Sequence, residues 1–398
     1  MAFSVRKFTD PGFLHTIAPQ YLAAFLAPWR AHLEGRGMTW PADGSGEIDR
    51  EALSLALMDG NHAVPTDLID SLYYVYDTAS EEHMDALIDH ARLRGLVLGR
   101  DLLTTTADIA IQIWLADPDM LREQHAQAVA LRQKDFLYYG GAHGGRREFP
   151  TLHGDLKRKL EETLDDWFEE HRRGRGSRVF TFPHRKKIWI LVRHGRSMRR
   201  EAAHRDDGQS ASAFYRPQQD DVLIYDTSSD EIGVHATSKG ETRLYLSVFG
   251  RLLFASEDYF PPFDKFTLDP LVENGAGSLL CEDVDGLEEI RLVEYRRFWG
   301  GAHSEMEIRK ASDIFAALAA RGQELSSKGR LVGADFKVKF KDAPKERSVK
   351  IRPPGNARYE RNEDSELIEV WLAKRGFIVD PKADSDDDDA PSAVLASA

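Results

Sequence analysis

Ile188-Trp189-Ile190-Leu191-Val192-Arg193-His194-Gly195 is the stretch on which the fold turns. A short unbroken apolar run bounded by charged residues on one side and Arg-His-Gly on the other reads as a buried strand. Cations crowd around it. From Arg172 to Arg205 there are twelve Lys or Arg (Arg172, Arg173, Arg175, Arg178, Arg185, Lys186, Lys187, Arg193, Arg196, Arg199, Arg200, Arg205) against one acid, Glu201. The whole chain carries a formal charge of -13, so much of its positive charge is gathered in one place.

Outward from this strand, further short strands are expected at Val179 to Phe182, Asp221 to Tyr225 and Glu231 to His235. Between Gly195 and Asp220 lie about 25 residues rich in Gly, Ser, Gln and charge, a length that marks a functional or disordered loop. On the N-terminal side, Leu152, Leu156, Leu160, Leu164, Trp167 and Phe168 recur at helical spacing, so Thr151 to Arg172 reads as an amphipathic helix. Its other side carries Glu161, Glu162, Asp165, Asp166, Glu169 and Glu170. These acids could neutralise the neighbouring arginines.

The chain before about Tyr139 reads as an all-helical domain. Pro19 and Pro28 interrupt its first helices, Thr78 to Glu82 opens a helix that Gly95 closes, and Thr106-Ala107-Asp108 caps another. Beyond the basic stretch, Ser238 to Glu241 leads into a helix, and strands are expected at Ser278 to Cys281 and Glu289 to Phe298. Asp313 caps a short helix. Phe336 to Lys341 and Arg347 to Ile351 form a hairpin with one wet face, and Ser365 to Lys374 is a last helix. The fold class is therefore α+β, with a helical domain over 1–139, a linker and amphipathic helix over 140–175, mixed regions over 176–260 and 261–379, and an acidic tail over 380–398. That tail holds six Asp, including Asp386 to Asp389, and too little apolar surface to order itself.

At 398 residues, 42% hydrophobic and 30% charged, the composition is that of an ordinary globular protein. A single cysteine, Cys281, rules out an intramolecular disulfide and suits a reducing cytoplasm. No uncharged run approaches the roughly 18 residues of a bilayer span, and no secretory leader is recognisable. Net acidity argues against wholesale coating of nucleic acid.

Leu191-Val192-Arg193-His194-Gly195-Arg196-Ser197, a strand ending in Arg-His-Gly with Ser two residues on, resembles the first motif of the histidine phosphatase (phosphoglycerate mutase-like) superfamily. The resemblance implies His194 as phosphoryl acceptor and Arg193 as a clamp on the phosphate oxygens. It spans about seven residues and then departs: Met198-Arg199-Arg200 stands where the family continues toward Asn. Only His235 and His303 lie beyond the long loop, neither in a Ser-His-Gly turn.

The acids Asp220, Asp221, Asp226, Asp230, Glu231 and Glu241 flank two strands, but their spacing does not match a metal-dependent nuclease, and Asp335-Phe336-Lys337 alone has the local pattern. No phosphate loop, dinucleotide fingerprint, paired CxxC or His-Glu-x-x-His occurs, so no cofactor and no metal are expected. The basic stretch remains. Arg175, Arg178, Arg185, Lys186, Lys187, Arg196, Arg199, Arg200 and Arg205, interleaved with Phe180, Phe182 and Trp189, suit a phosphate backbone and its bases. The expected function is a non-catalytic nucleic-acid- or polyanion-contacting or regulatory component of a bacterial multi-protein system, with phage defence as one setting. A protein partner is expected, and no membrane. The alternatives are a phosphohydrolase using His194 and an interaction scaffold that presents the Leu152 to Phe168 helix face.

Overall fold

The strand predicted at 187–193 is present as one of the inner strands of a large sheet. The computed structural model describes residues 4–40, 47–58, 64–99, 101, 103–142, 147–204, 208–361 and 364–379. They divide into two compact units, Met1–Val129 with Met198–Arg216, and Ala130–Ser197 with Pro217–Ala398. The architecture is mixed α and β. No helix among the described residues is long and apolar enough to cross a membrane.

The first unit holds helices α1 (Val5–Phe8), α2 (Pro11–Thr16), α3 (Pro19–Leu26), α4 (Arg30–Glu34), α5 (Arg50–Met58), α6 (Thr66–Thr78), α7 (Glu81–Leu93) and α8 (Thr106–Ala116). Most of α9 (Pro118–Leu131) belongs with them. Pro19 sits in the first turn of α3, where its missing N–H has no helical partner to lose. Thr105 and Asp108 form a reciprocal capping box on α8, and the same Asp108 accepts the Ala18 N–H at 2.8 Å. Leu22, Phe25, Leu53, Leu68, Leu72, Leu87 and Ile111 close a shared apolar core.

The second unit is built on a ten-stranded antiparallel sheet. Its strands are β1 (Asp135–Gly140), β2 (Arg178–His184), β3 (Lys187–Gly195), and, after a hairpin of β4 (Arg199–His204) and β5 (Ser210–Tyr215) that groups with the first unit, β6 (Gln218–Asp226) and β7 (Glu231–His235). The later strands are β8 (Leu287–Gly300), β9 (Glu305–Lys310), β10 (Arg330–Phe340), β11 (Arg347–Arg352) and β12 (Asn356–Arg358). They run in the order β2-β3-β6-β7-β1-β12-β11-β10-β8-β9. Helices α10 (Gly154–Glu170), α11 (Lys239–Phe254), α12 (Asp269–Glu273), α13 (Ile314–Ala319) and α14 (Ser365–Lys374) accompany the sheet.

Alternation along β3 explains the packing. Ile190 and Val192 join Val179, Leu223, Tyr225, Ile232 and Val234 on one face, where Leu160, Leu164 and Phe168 of α10 and Leu244, Tyr245, Val248 and Phe249 of α11 cover them. Each large side chain fully buried there contributes about 1.5–3 kcal/mol. The opposite face carries Trp189, with Phe136 edge-on to it at 6.0 Å, while Phe336, Trp371 and Phe377 cluster farther along.

Several expectations are corrected. Residues 135–140 are not the end of a helical domain but a central strand, because Phe136 and Tyr138 are buried between β7 and β12. The expected loop between Gly195 and Asp220 contains the β4–β5 hairpin. Ser278 to Cys281 is not a strand: a 3-10 turn over Gly275–Leu279 leads into it. The regions read as separate over 176–260 and 261–379 share one sheet, joined through β1. The apolar stripe of α10 is buried against the sheet, so it presents no free face to a partner. The acidic tail over 380–398 lies outside the described residues.

Candidate polyanion-binding arm and the buried His194 network

Arg193 and His194 are neighbours on an unbroken strand, so their side chains leave opposite faces of the sheet. Arg193 is forked onto Asp220, directly across on β6, with Nε to Oδ1 at 2.8 Å and Nη2 to Oδ2 at 3.2 Å. His194 turns toward the helices and stacks on Phe168, with ring centroids 4.1 Å apart. The two residues of the Arg-His-Gly motif therefore do not converge on one phosphate. Arg193 serves Asp220, and His194 is buried among carboxylates.

The surroundings of His194 form a closed polar network. Its Nδ1 lies 2.9 Å from the Gly195 carbonyl oxygen and its Nε2 3.1 Å from Asp221 Oδ2, with Glu241 Oε1 at 3.8 Å. Both ring nitrogens face oxygen atoms. Asp221 also accepts the Tyr245 hydroxyl at 2.7 Å and the Gln219 amide at 2.7 Å. Burial, and then the charge of Asp221, push the Tyr245 phenol well above its usual range. Glu241 closes the capping box of α11 with Ser238 and pairs with Arg173. The His194 ring and the Arg173 guanidinium thus face the carboxyl groups of Asp221 and Glu241.

His194, Asp221 and Glu241 each offer a ligand atom, all within 4.8 Å of one another, and are the residues that could hold a metal. Glu241 already pairs with Arg173, and Asp221 accepts from Tyr245 and Gln219, so two of the three ligand groups are engaged by protein donors.

The rest of the basic stretch divides into two sets. In the first, the cations are spent internally. Arg175 Nη1 sits 2.9 Å from Asp166 and 2.8 Å from Glu169 on α10. Lys187 holds Glu369 at 2.7 Å and lies 3.7 Å from Asp226, and Arg185 is 3.5 Å from Glu366. Of the other acids of α10, Asp165 accepts the N–H groups of Gly176 and Ser177, Glu161 accepts that of Val179, and Asp155 and Glu162 face Arg158 of the same helix.

In the second set the charge is unspent. Among the described residues, Arg196, Arg199, Arg200 and Lys186 make no ion pair, and Arg178 donates only to the Ser177 carbonyl, at 2.9 Å. Arg205 lies outside the described residues. Arg199 and Arg200 stand on the β4–β5 hairpin, an arm whose cross-strand pairs set Arg199 opposite Tyr215 and Arg200 opposite Phe214. Alternation places the first pair on one face and the second on the other, so each face carries a guanidinium beside a ring. Phe214 is 66% and Tyr215 42% exposed. Arg216, also exposed and without an ion pair, follows directly.

Phe214, Tyr215 and Arg216 were not singled out from the sequence. The signal was an aromatic pair followed by Arg-Pro at the far end of a segment read as loop. No family model matches this chain, and no curated protein matches it.

Proposed function

We propose that this protein contacts a polyanion, above all a nucleic-acid backbone, through the β4–β5 arm, and that it acts by binding rather than by catalysis. The observation that carries the reading is the division of the basic stretch. Arg175, Arg185, Lys187 and Arg193 around the strand are held by acids, while Arg199, Arg200 and Arg216 of the arm are exposed and make no ion pair among the described residues.

The arm has the parts such contact requires. Over 196–216 it has five arginines against three acids in a chain that is acidic overall, so attraction is local to it. Guanidinium groups suit phosphate oxygens bidentately, and exposed rings beside them can stack on unpaired bases. Two-sided exposure on a narrow hairpin suits insertion along a groove or beside a single strand. His194 has no place in this activity. Its imidazole is enclosed, with Arg193 on the opposite side of the sheet.

The test is fluorescence anisotropy with a short labelled oligonucleotide, single-stranded and duplex, at ~50 mM salt. Wild type should bind. Arg199→Ala/Arg200→Ala/Arg216→Ala should weaken binding at least tenfold, and Arg175→Ala should leave it unchanged. Absence of binding by wild type to either form would overturn the proposal.

A further inference from the structure

On the sheet face away from α10 and α11, the β2–β3 turn and α14 enclose a cavity of about 380 Å³, within the range of small-molecule sites. Its apolar lining comes from Trp189 and Ile224 of the sheet and Val370 and Ala373 of α14. The turn adds Arg185, Lys186 and Lys187, and the segment before α14 adds Arg361.

The acids of the lining are already occupied. Glu369 is held by Lys187 at 2.7 Å, by Arg361 at 3.3 Å and by the Tyr359 hydroxyl at 2.9 Å. Asp226 accepts the Ser228 N–H at 2.9 Å, and Glu366 faces Arg185 at 3.5 Å. Cation donors remain. Arg361 is 5% exposed, lies flat on the Tyr359 ring at 3.4 Å, and keeps two buried nitrogens, Nε and Nη2, with no hydrogen-bond partner. Lys186 has no ion pair among the described residues.

We propose that this cavity binds a small organic anion, with a carboxylate, phosphate or sulfonate head directed to Lys186 and Arg361 and a flat apolar body against Trp189, Ile224 and Val370. Four cations against three acids on the lining favour a monoanion or dianion over a neutral or cationic molecule. This site is independent of the arm and of its role.

Fluorescence titration with 8-anilinonaphthalene-1-sulfonate, an anion of this shape, tests it against the neutral analogue N-phenyl-1-naphthylamine. Wild type should bind the sulfonate at a single site, at least tenfold more tightly than the neutral probe. Lys186→Glu should weaken sulfonate binding at least tenfold, and Ala373→Trp, an exposed position at the cavity wall, should abolish it without disturbing the core. Equal affinity for the two probes, or sulfonate affinity within twofold of wild type in either variant, would overturn the proposal.

Discussion

Asp221→Asn keeps the shape of the side chain and removes one charge from the network around His194. In the intact protein His194 and Arg173 face Asp221 and Glu241, all four largely or fully buried. After the substitution Arg173 is left with one carboxylate in the network, and His194 Nε2, the Tyr245 hydroxyl and the Gln219 amide meet a neutral amide in place of a carboxylate. Removing one partner of a buried charged pair costs about 3–5 kcal/mol, because the remaining charge is left uncompensated. For a unit of this size each kcal/mol lowers Tm by roughly 2–4 °C, so the loss should be about 6–20 °C. Thermal unfolding by circular dichroism at neutral pH would measure it, with chemical denaturation as the check on free energy. A double-mutant cycle with His194→Ala should then show coupling of at least about 1 kcal/mol, since both residues act through one contact. An Asp221→Asn protein melting within 2 °C of wild type would refute the claim that the network is charged and self-balanced.

Three further outcomes follow from the same geometry. Burial opposes ionisation of Glu369, but Lys187 and Arg361 outweigh it and hold its carboxyl down to about 2. Its folded value lies below its unfolded one, so its contribution, on the order of 3 kcal/mol, is present above about pH 4.5 and is lost as pH falls toward 2. The stability gap between wild type and Glu369→Gln should therefore narrow over that interval in acid denaturation, and a constant gap would contradict the ion-pair account. A Cβ added at Gly250 of α11 would lie 2.5 Å from the Ser256 carbonyl oxygen and 3.1 Å from Tyr259 Cβ. Despite the better helix propensity of alanine, Gly250→Ala should destabilise by about 1–3 kcal/mol in urea unfolding. Any turnover of p-nitrophenyl phosphate should be the same in wild type and His194→Ala at a temperature where both are folded, because the imidazole is buried and Arg193 leaves the opposite face of the sheet.

Much of the second unit was legible where one face of an element is buried and the other wet. The unbroken run before Arg193, the stripe on α10, the caps at Ser238 and Asp313, and the β10–β11 hairpin each carry a local signature that the packing then uses. The arm carried none. With both of its faces open to solvent, nothing selects alternation in Arg199 to His204 or Ser210 to Tyr215, and the segment reads as loop. The β1 strand was hidden for the opposite reason: it follows directly on α9, and its apolar residues fit a continued helix as well as a strand. Whether the helical acids would neutralise the arginines was also undecidable from spacing. Asp165 and Glu161 turned out to serve backbone N–H groups, and among the described residues of the basic stretch that face pairs Arg175 alone. His194 could not be assigned its partners, because Asp221 reaches it from β6 in the sheet and Glu241 through the start of α11.

The claim that the unpaired arginines of the arm make the contact is tested most directly by the salt dependence of oligonucleotide binding. Three arginine–phosphate contacts should contribute about 2.1 to the slope of log K against log[salt] for a single strand, or about 2.7 for a duplex. The slope should fall by that amount in Arg199→Ala/Arg200→Ala/Arg216→Ala and stay unchanged in Arg175→Ala. Equal slopes for wild type and the triple variant, or a loss in Arg175→Ala as large as in the arm, would contradict the account.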